Sequence, residues 1–234
     1  DCLMKLNLKS RRALVTGGTR GIGRAIAFAL AAEGMDVAVC ARDAKAVAEV
    51  VAALRSTGVA SHGGAFDVAD GAAIKTFVAE AATALGGLDC LVCNTSALAE
   101  GFAEADFKRA FEVDLMHTVN AVAAAIPFLE ASSNASIIAI ASISASEDSG
   151  FDSVSYGAMK AALLYYMKSL ARHVAPKGIR ANVVSPGTTY FKDGYWAKVE
   201  ANDPATFSAT LAANPMGRMA APEEVANAVV FLAS

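Results

Sequence analysis

The chain alternates short runs of apolar residues with longer alanine-rich segments whose apolar positions recur at helical spacing. Strands that are buried on both faces of a parallel sheet read as nearly continuous apolar runs, so the short runs predict strands. The predicted strands cover residues 13–15, 37–41, 88–93, 136–141 and 179–184, and one more short strand ends near Phe66.

The alanine-rich segments predict helices, and the residues at their ends support this. Gly34 follows the first helical run and fits a helix stop, Asp70 fits an N-cap, and Pro222 fits the first position of a helix. The predicted helices cover residues 21–33, 44–57, 71–85, 106–130, 156–175 and 222–231.

Six repeats of a strand and a helix predict an α/β fold, a Rossmann-type doubly wound parallel sheet, as a single domain over residues 1–234. Right-handed crossovers then place the carboxyl ends of all strands along one edge, where ligands bind. Residues 188–219 depart from this rhythm and are predicted to form a substrate-binding lid. This segment contains the aromatic residues Tyr190, Phe191, Tyr195 and Trp196. They either line a substrate pocket or pack the lid onto the core.

The composition narrows the range of functions. The 234 residues are 55% hydrophobic and carry a net charge of −3, which argues against a nucleic-acid or anionic-membrane partner. No apolar run reaches the roughly 18 residues of a membrane span, and a cytoplasmic location is expected. Cys90 and Cys93 have Cys-x-x-Cys spacing, but on a strand such positions face opposite sides, so we interpret them as core. No metal is expected, because the scattered histidines offer no ligand spacing.

A glycine-rich turn, Thr16-Gly17-Gly18-Thr19-Arg20-Gly21-Ile22-Gly23, joins the first predicted strand to the first predicted helix. Glycines let the backbone approach a pyrophosphate, and the helix N-terminus supplies free N–H groups and a positive dipole. In this context the turn predicts a dinucleotide-binding site.

The end of the second predicted strand indicates which dinucleotide binds. A carboxylate there reads a free ribose 2′-hydroxyl, whereas an arginine accommodates a 2′-phosphate. Arg42 stands at this position, with Arg20 in the neighbouring turn, while Asp43 follows and fits an N-cap of the next helix. These residues favour NADP(H) over NAD(H).

Tyr156 and Lys160 lie four residues apart in a helical segment, so both side chains point to the same face. A fixed ammonium beside a phenol stabilises the phenolate. The pair is therefore a candidate proton donor and acceptor.

Together these features resemble the short-chain dehydrogenase/reductase family, in its compact single-domain branch, over nearly the whole chain. Beyond the turn and the Tyr-x-x-x-Lys motif, the matching positions are Asp67-Val68, Asn94, Ser142 and Pro186-Gly187, in the family's order. The resemblance implies a cofactor site formed by Gly17, Thr19, Arg20, Gly21, Ile22, Gly23, Arg42, Asp67, Val68, Asn94, Tyr156, Lys160, Pro186 and Gly187.

The resemblance also implies a reaction, which is hydride transfer between a nicotinamide cofactor and a carbonyl or secondary alcohol. Tyr156 would protonate the developing alkoxide, Ser142 would stabilise it, and Lys160 would assist the phenol and hold the nicotinamide ribose. A 3-oxoacyl-[acyl-carrier-protein] reductase-like enzyme that forms a dimer or tetramer is expected. The alternatives are an NAD-linked dehydrogenase of sugars or other secondary alcohols and a non-catalytic dinucleotide-binding sensor or scaffold.

The chain departs from the family pattern at several positions. Asp114 stands where the family carries an asparagine that helps to hold a water in the proton relay, and His117 replaces a small residue. We count Asp114 among the candidate catalytic residues and expect activity to be retained with an altered pH optimum. The family's Asn-Ala-Gly reads Asn94-Thr95-Ser96, and Ser144 is a second candidate for the serine. The family's last strand, after a helix like the one that ends at Phe231, has no counterpart in the printed sequence.

Overall fold

Six parallel strands form the centre of the protein, in a computed structural model that describes residues 5–99, 101–148 and 153–234. They are β1 (Arg12–Thr16), β2 (Asp36–Ala41), β3 (Ser61–Ala65), β4 (Cys90–Cys93), β5 (Ala135–Ile140) and β6 (Ile179–Val184). Their order in the sheet is β3-β2-β1-β4-β5-β6, and every neighbouring pair is parallel. The predicted doubly wound α/β fold is confirmed, with its reversal of strand order between β1 and β4.

Helices cover both faces of the sheet, and their apolar sides form two cores. The helices are α1 (Gly21–Ala32), α2 (Ala44–Ser56), α3 (Gly71–Leu85), α4 (Glu104–Ala110), α5 (His117–Leu129), α6 (Val154–Val174), α7 (Tyr195–Asn202), α8 (Pro204–Ala213) and α9 (Pro222–Ala233). Buried residues of α1, α2 and α9 form one core with the sheet, and those of α3, α5 and α6 form the other.

Alternate residues of the strands enter opposite cores, which explains why the strands read as continuous apolar runs. Cys90 packs into the core beneath α1, and Cys93 packs into the core beneath α5. Burial raises the pKa of both thiols to about 12. The interpretation of these two cysteines as core residues is confirmed, while Cys2 lies outside the described residues.

Two aspartates fix the starts of helices at the sheet's carboxyl edge. The Asp43 carboxylate accepts hydrogen bonds from the backbone N–H groups of Lys45 and Ala46, and Asp70 does the same for Ala72 and Ala73. Both predicted N-caps are confirmed.

The predicted helix over residues 106–130 differs from the observed structure in an important way. A π-helical segment, Phe111–Met116, separates α4 from α5, so this long helix is not regular. Such wide turns occur where tertiary contacts outweigh local propensity, often at functional sites. Here the turn places Asp114 and His117 in the interior, each 1% exposed.

The segment 188–219 contains the two short helices α7 and α8, neither of which has a fully buried residue. Its two ends are joined, because Tyr190 N–H donates to Ala220 O and Ala220 N–H donates to Thr188 O. This arrangement suits the predicted lid, which stays a prediction.

Asp89 joins β1 and β4 at the edge of the sheet opposite the strands' carboxyl ends. Its carboxylate accepts hydrogen bonds from the backbone and guanidinium of Arg12 and from the Ser132 hydroxyl, and its side chain is 4% exposed. Burial alone would raise the pKa of Asp89. The hydrogen bonds and the charge of Arg12 outweigh burial and lower the pKa below its usual value.

Replacing this carboxylate, in Asp89→Asn, should lower the unfolding free energy at neutral pH by roughly 1–3 kcal/mol. Because the folded-state pKa is lowered, the stabilisation is present above the unfolded pKa of about 3.9 and is lost as the pH falls through the folded value. Urea unfolding of both proteins across the acid range should show a difference that shrinks below about pH 4. Glu49→Gln, at an exposed side chain, is the control. A difference that does not depend on pH would contradict the prediction.

Candidate active site

A cleft of about 450 Å³ opens at the carboxyl edge of the sheet, and residues that follow all six strands line it. Most of the predicted site residues meet there, namely Gly17, Thr19, Arg20, Ile22, Gly23, Arg42, Asp67, Val68, Asn94, Ser142, Tyr156, Lys160, Pro186 and Gly187. Two predicted residues do not line the cleft. Gly21 lies under the ring of Phe191, and Asp114 lies behind Lys160.

The glycine-rich turn leaves no room for side chains where it meets α1. A Cβ atom on Gly23 would collide with Gly17 O and with Asn94 Nδ2. Asn94 Nδ2 itself donates to Thr16 O at 3.0 Å, so the turn is held against the end of β4. No side chain caps the N-terminus of α1 at Arg20, in contrast to α2 and α3. The turn therefore offers free N–H groups to an anionic ligand.

The aromatic residues of the 188–219 segment divide between the two roles that the sequence left open. Phe191, Tyr195 and Trp196 line the cleft, and a Cβ atom on Gly21 would lie 2.5 Å from Phe191 Cζ. Gly21 also has a positive φ of 49°, so both its conformation and the ring above it require glycine. Tyr190 instead packs against Phe207 and donates its hydroxyl to Glu200.

Lys160 is held in a fully buried ion pair. Its Nζ lies 3.1 Å from Asp114 Oδ1, and only 2% of the lysine side chain is exposed. The same Nζ donates to Ile140 O at 3.0 Å and lies 5.5 Å from the centre of the Tyr156 ring. Asp114 Oδ2 accepts a hydrogen bond from the Ala97 N–H at 3.1 Å. These contacts fix the lysine beside the phenol, on the face that the spacing predicted.

His117 connects α5 to the glycine-rich turn through Thr16. Its Nδ1 lies 2.7 Å from Val113 O, and since a carbonyl can only accept, Nδ1 carries the proton. Nε2 then accepts from the Thr16 hydroxyl at 3.0 Å, and that oxygen accepts in turn from the Asn94 N–H. Burial and the charge of Lys160 lower the pKa of His117 to about 4, although the hydrogen bond to Val113 opposes them. His117 is therefore neutral at pH 7 and serves as a structural link.

Ser142 lies two residues after the end of β5, at the wall of the cleft that also carries Tyr156 and Lys160. Its hydroxyl oxygen accepts a hydrogen bond from the Ser144 N–H at 3.2 Å, which leaves the Ser142 proton available to another acceptor. Ile143 N–H donates to Pro186 O at 3.0 Å and ties this loop to the end of β6. Ser144 lines the same cleft, and the assignment of the serine to Ser142 stays a prediction.

Sequence reasoning missed Arg109, which also lines the cleft. Its Nη2 donates to Asp67 Oδ2 at 3.0 Å, across 42 positions of the chain. No local motif marks such a pair, because Arg109 lies in a short helix, α4, far from Asp67 in the sequence.

The sheet, the turn at its reversal point and the titratable groups beside it define a class of protein. They are the architecture of nucleotide-dependent enzymes whose reaction takes place at the carboxyl ends of the strands. The crowding at Gly23 and the uncapped start of α1 fit a dinucleotide pyrophosphate.

The similarity of this chain to known proteins supports the assignment to this class. The family described as short chain dehydrogenase matches residues 11–198, so this chain belongs to the short-chain dehydrogenase family. The chain is 36% identical to isoepoxydon dehydrogenase patN of Aspergillus clavatus, over 99% of this chain and 91% of that protein. It is 32% identical to the 3-oxoacyl-[acyl-carrier-protein] reductase FabG of Escherichia coli, over 98% and 92%. A short chain dehydrogenase from Burkholderia cenocepacia, solved in complex with NADP, superimposes with a TM-score of 0.88 at 32% identity, over 97% and 91%.

Two further observations concern metals and membranes. Within residues 5–99, 101–148 and 153–234, no group of three His, Cys, Asp or Glu side chains is placed to hold a metal ion. In the same residues, no helix combines the length and the apolar character that a membrane crossing requires.

Proposed function

We propose that this protein is an NADP(H)-dependent carbonyl reductase that resembles 3-oxoacyl-[acyl-carrier-protein] reductases. The observation that carries the proposal is the meeting of Ser142, Tyr156 and Lys160 in the cleft that begins at the glycine-rich turn. The similarity to FabG over nearly the full length supports the reaction class. We also propose that the protein forms a dimer or tetramer and acts in the cytoplasm.

The bound cofactor supplies the hydride that the carbonyl carbon accepts. The residues of this chain handle the substrate oxygen and the proton. The Ser142 hydroxyl donates a hydrogen bond to the carbonyl oxygen, which stabilises the charge that develops there. Tyr156 then transfers its phenolic proton to that oxygen, and the Lys160 ammonium stabilises the phenolate that remains. Asp114 orients the ammonium from behind.

The preference for NADP(H) rests on how Arg42 and Asp43 divide their roles. Arg42 lines the cleft just beyond β2, with Arg20 in the adjoining turn. Asp43 is the only carboxylate beside Arg42 in sequence, and it is engaged as the N-cap of α2 at 2.9 Å and 3.2 Å. Asp43 does not line the cleft, whereas Arg20 and Arg42 do, so the charge at this end of the cleft suits a 2′-phosphate better than a free 2′-hydroxyl.

Arg42→Ala should weaken NADPH binding by roughly tenfold, because the variant loses a charge-assisted contact to phosphate. NADH binding should change little. Fluorescence titration with each cofactor measures both dissociation constants. Lys45→Ala provides a control, since that lysine is exposed and three residues away. Equal weakening of both cofactors would favour an NAD-linked dehydrogenase instead.

Tyr156→Phe should lower kcat by roughly 10²–10⁴-fold while the cofactor still binds, because the variant loses only the proton that the reaction needs. The assay follows NADPH absorbance with a 3-oxoacyl thioester, a cyclic ketone and a ketose. Tyr165→Phe is the matched control, on the same helix and 76% exposed. A near-normal rate in Tyr156→Phe would rule out the proposed acid. No turnover of any substrate by the unmodified protein would favour a binding protein over an enzyme.

Asp114→Asn should remain active with a changed pH–rate profile. The Asp114 carboxylate offsets part of the effect that the Lys160 ammonium has on the phenol. An amide removes that offset, so the pH optimum of the reaction should change. Glu112→Gln, at an exposed neighbouring carboxylate, should leave the profile unchanged. Superimposable profiles for Asp114→Asn and the unmodified protein would refute this role.

A further inference from the structure

The cleft is lined by more positively than negatively charged side chains. Among the described lining residues these are Arg20, Arg42, Asp67, Arg109 and Lys160. Lys160 is already paired with Asp114. The remaining four are three guanidinium groups and one carboxylate, that of Asp67, near the expected adenosine end.

Both oxygens of the Asp67 carboxylate are occupied. Oδ1 accepts from the Ala69 N–H at 3.0 Å, and Oδ2 accepts from Arg109 Nη2 at 3.0 Å. Partial burial would raise the pKa of Asp67, but these two hydrogen bonds and the charges of Arg109 and Arg42 outweigh it and lower the pKa. Asp67 is therefore an anion at neutral pH, in the electrostatic reach of Arg42.

Arg42 itself is not engaged. Within the described parts of the chain, its guanidinium forms neither an ion pair nor a side-chain hydrogen bond. If Arg109 did not hold Asp67, that carboxylate would attract Arg42 and repel a phosphate beside it.

We propose that Arg109 is a positioning residue that determines cofactor specificity. It neutralises Asp67 and so keeps Arg42 available for the 2′-phosphate of NADP(H). Arg109 itself need not touch the phosphate. This inference rests on the proposed NADP(H) preference. It means that a residue of α4, and not only the residues at the end of β2, determines which cofactor binds more tightly.

The test is the ratio of the NADH to the NADPH dissociation constant, from titrations of the full chain. Arg109→Met should reduce this ratio by roughly fivefold, the size expected for a partly exposed charge pair. Arg109→Lys keeps the positive charge, so the ratio should stay close to that of the unmodified protein. Lys108→Met is the matched control, because Lys108 is the preceding residue and pairs with Glu104 at the surface. It should leave the ratio unchanged.

Rescue separates this role from a merely structural one. Asp67→Asn in the Arg109→Met background removes the carboxylate that Arg109 neutralises, so the ratio should recover. A ratio that is unchanged in Arg109→Met, or that falls and does not recover in the double variant, would overturn the inference.

Arg42→Ala, measured in parallel, distinguishes the two proposals. If Arg42→Ala weakens NADPH binding more than NADH binding and Arg109→Met weakens neither selectively, only the role of Arg109 is refuted. If the unmodified protein shows no preference and neither variant changes the ratio, the NADP(H) assignment fails and the inference fails with it.

Discussion

The buried contact between Lys160 and Asp114 is the constraint on which the rest of the site depends. The two side chains are 2% and 0% exposed, so neither charge has water to stabilise it. Removing one partner of such a pair typically costs 3–5 kcal/mol, because the other charge stays buried and unpaired. The pair therefore fixes α6 against the π-helical segment, and Tyr156, one turn earlier on α6, is fixed with it.

The glycine-rich turn is joined to this pair through neutral hydrogen bonds. His117 lies one residue after the π-helical segment and bonds to Thr16 at the end of β1, and Thr16 accepts from the start of the loop after β4. A charged imidazole in this position would repel Lys160, and the lowered pKa of His117 excludes it at neutral pH. The glycine-rich turn and the helix that carries the phenol are thus connected through buried polar contacts.

Two of the relatives have names that point to different substrates, isoepoxydon and a 3-oxoacyl-[acyl-carrier-protein]. Proteins of one fold that act on different substrates differ in the residues of the site rather than in the fold. In this protein the segment 188–219 stays the predicted substrate-binding segment. This segment brings Phe191, Tyr195 and Trp196 to the cleft, and neither of its helices has a fully buried residue.

Local patterns in the sequence were enough to predict much of this structure. Apolar runs marked the strands because both faces of the sheet are buried, Asp43 and Asp70 marked helix starts, and the Tyr156–Lys160 spacing marked a shared helical face. Each of these signals depends on residues close together in the chain.

Only the tertiary structure decided which distant residues meet. The π-helical turn interrupts a segment that reads as a regular helix, and it turns Asp114 toward Lys160. Arg109 reaches Asp67 across 42 positions of the chain. Phe191, in the segment that follows the outermost strand β6, covers Gly21, which follows β1. Spacing and propensity carry no information on such pairs, because the packing of helices against the completed sheet sets their distances.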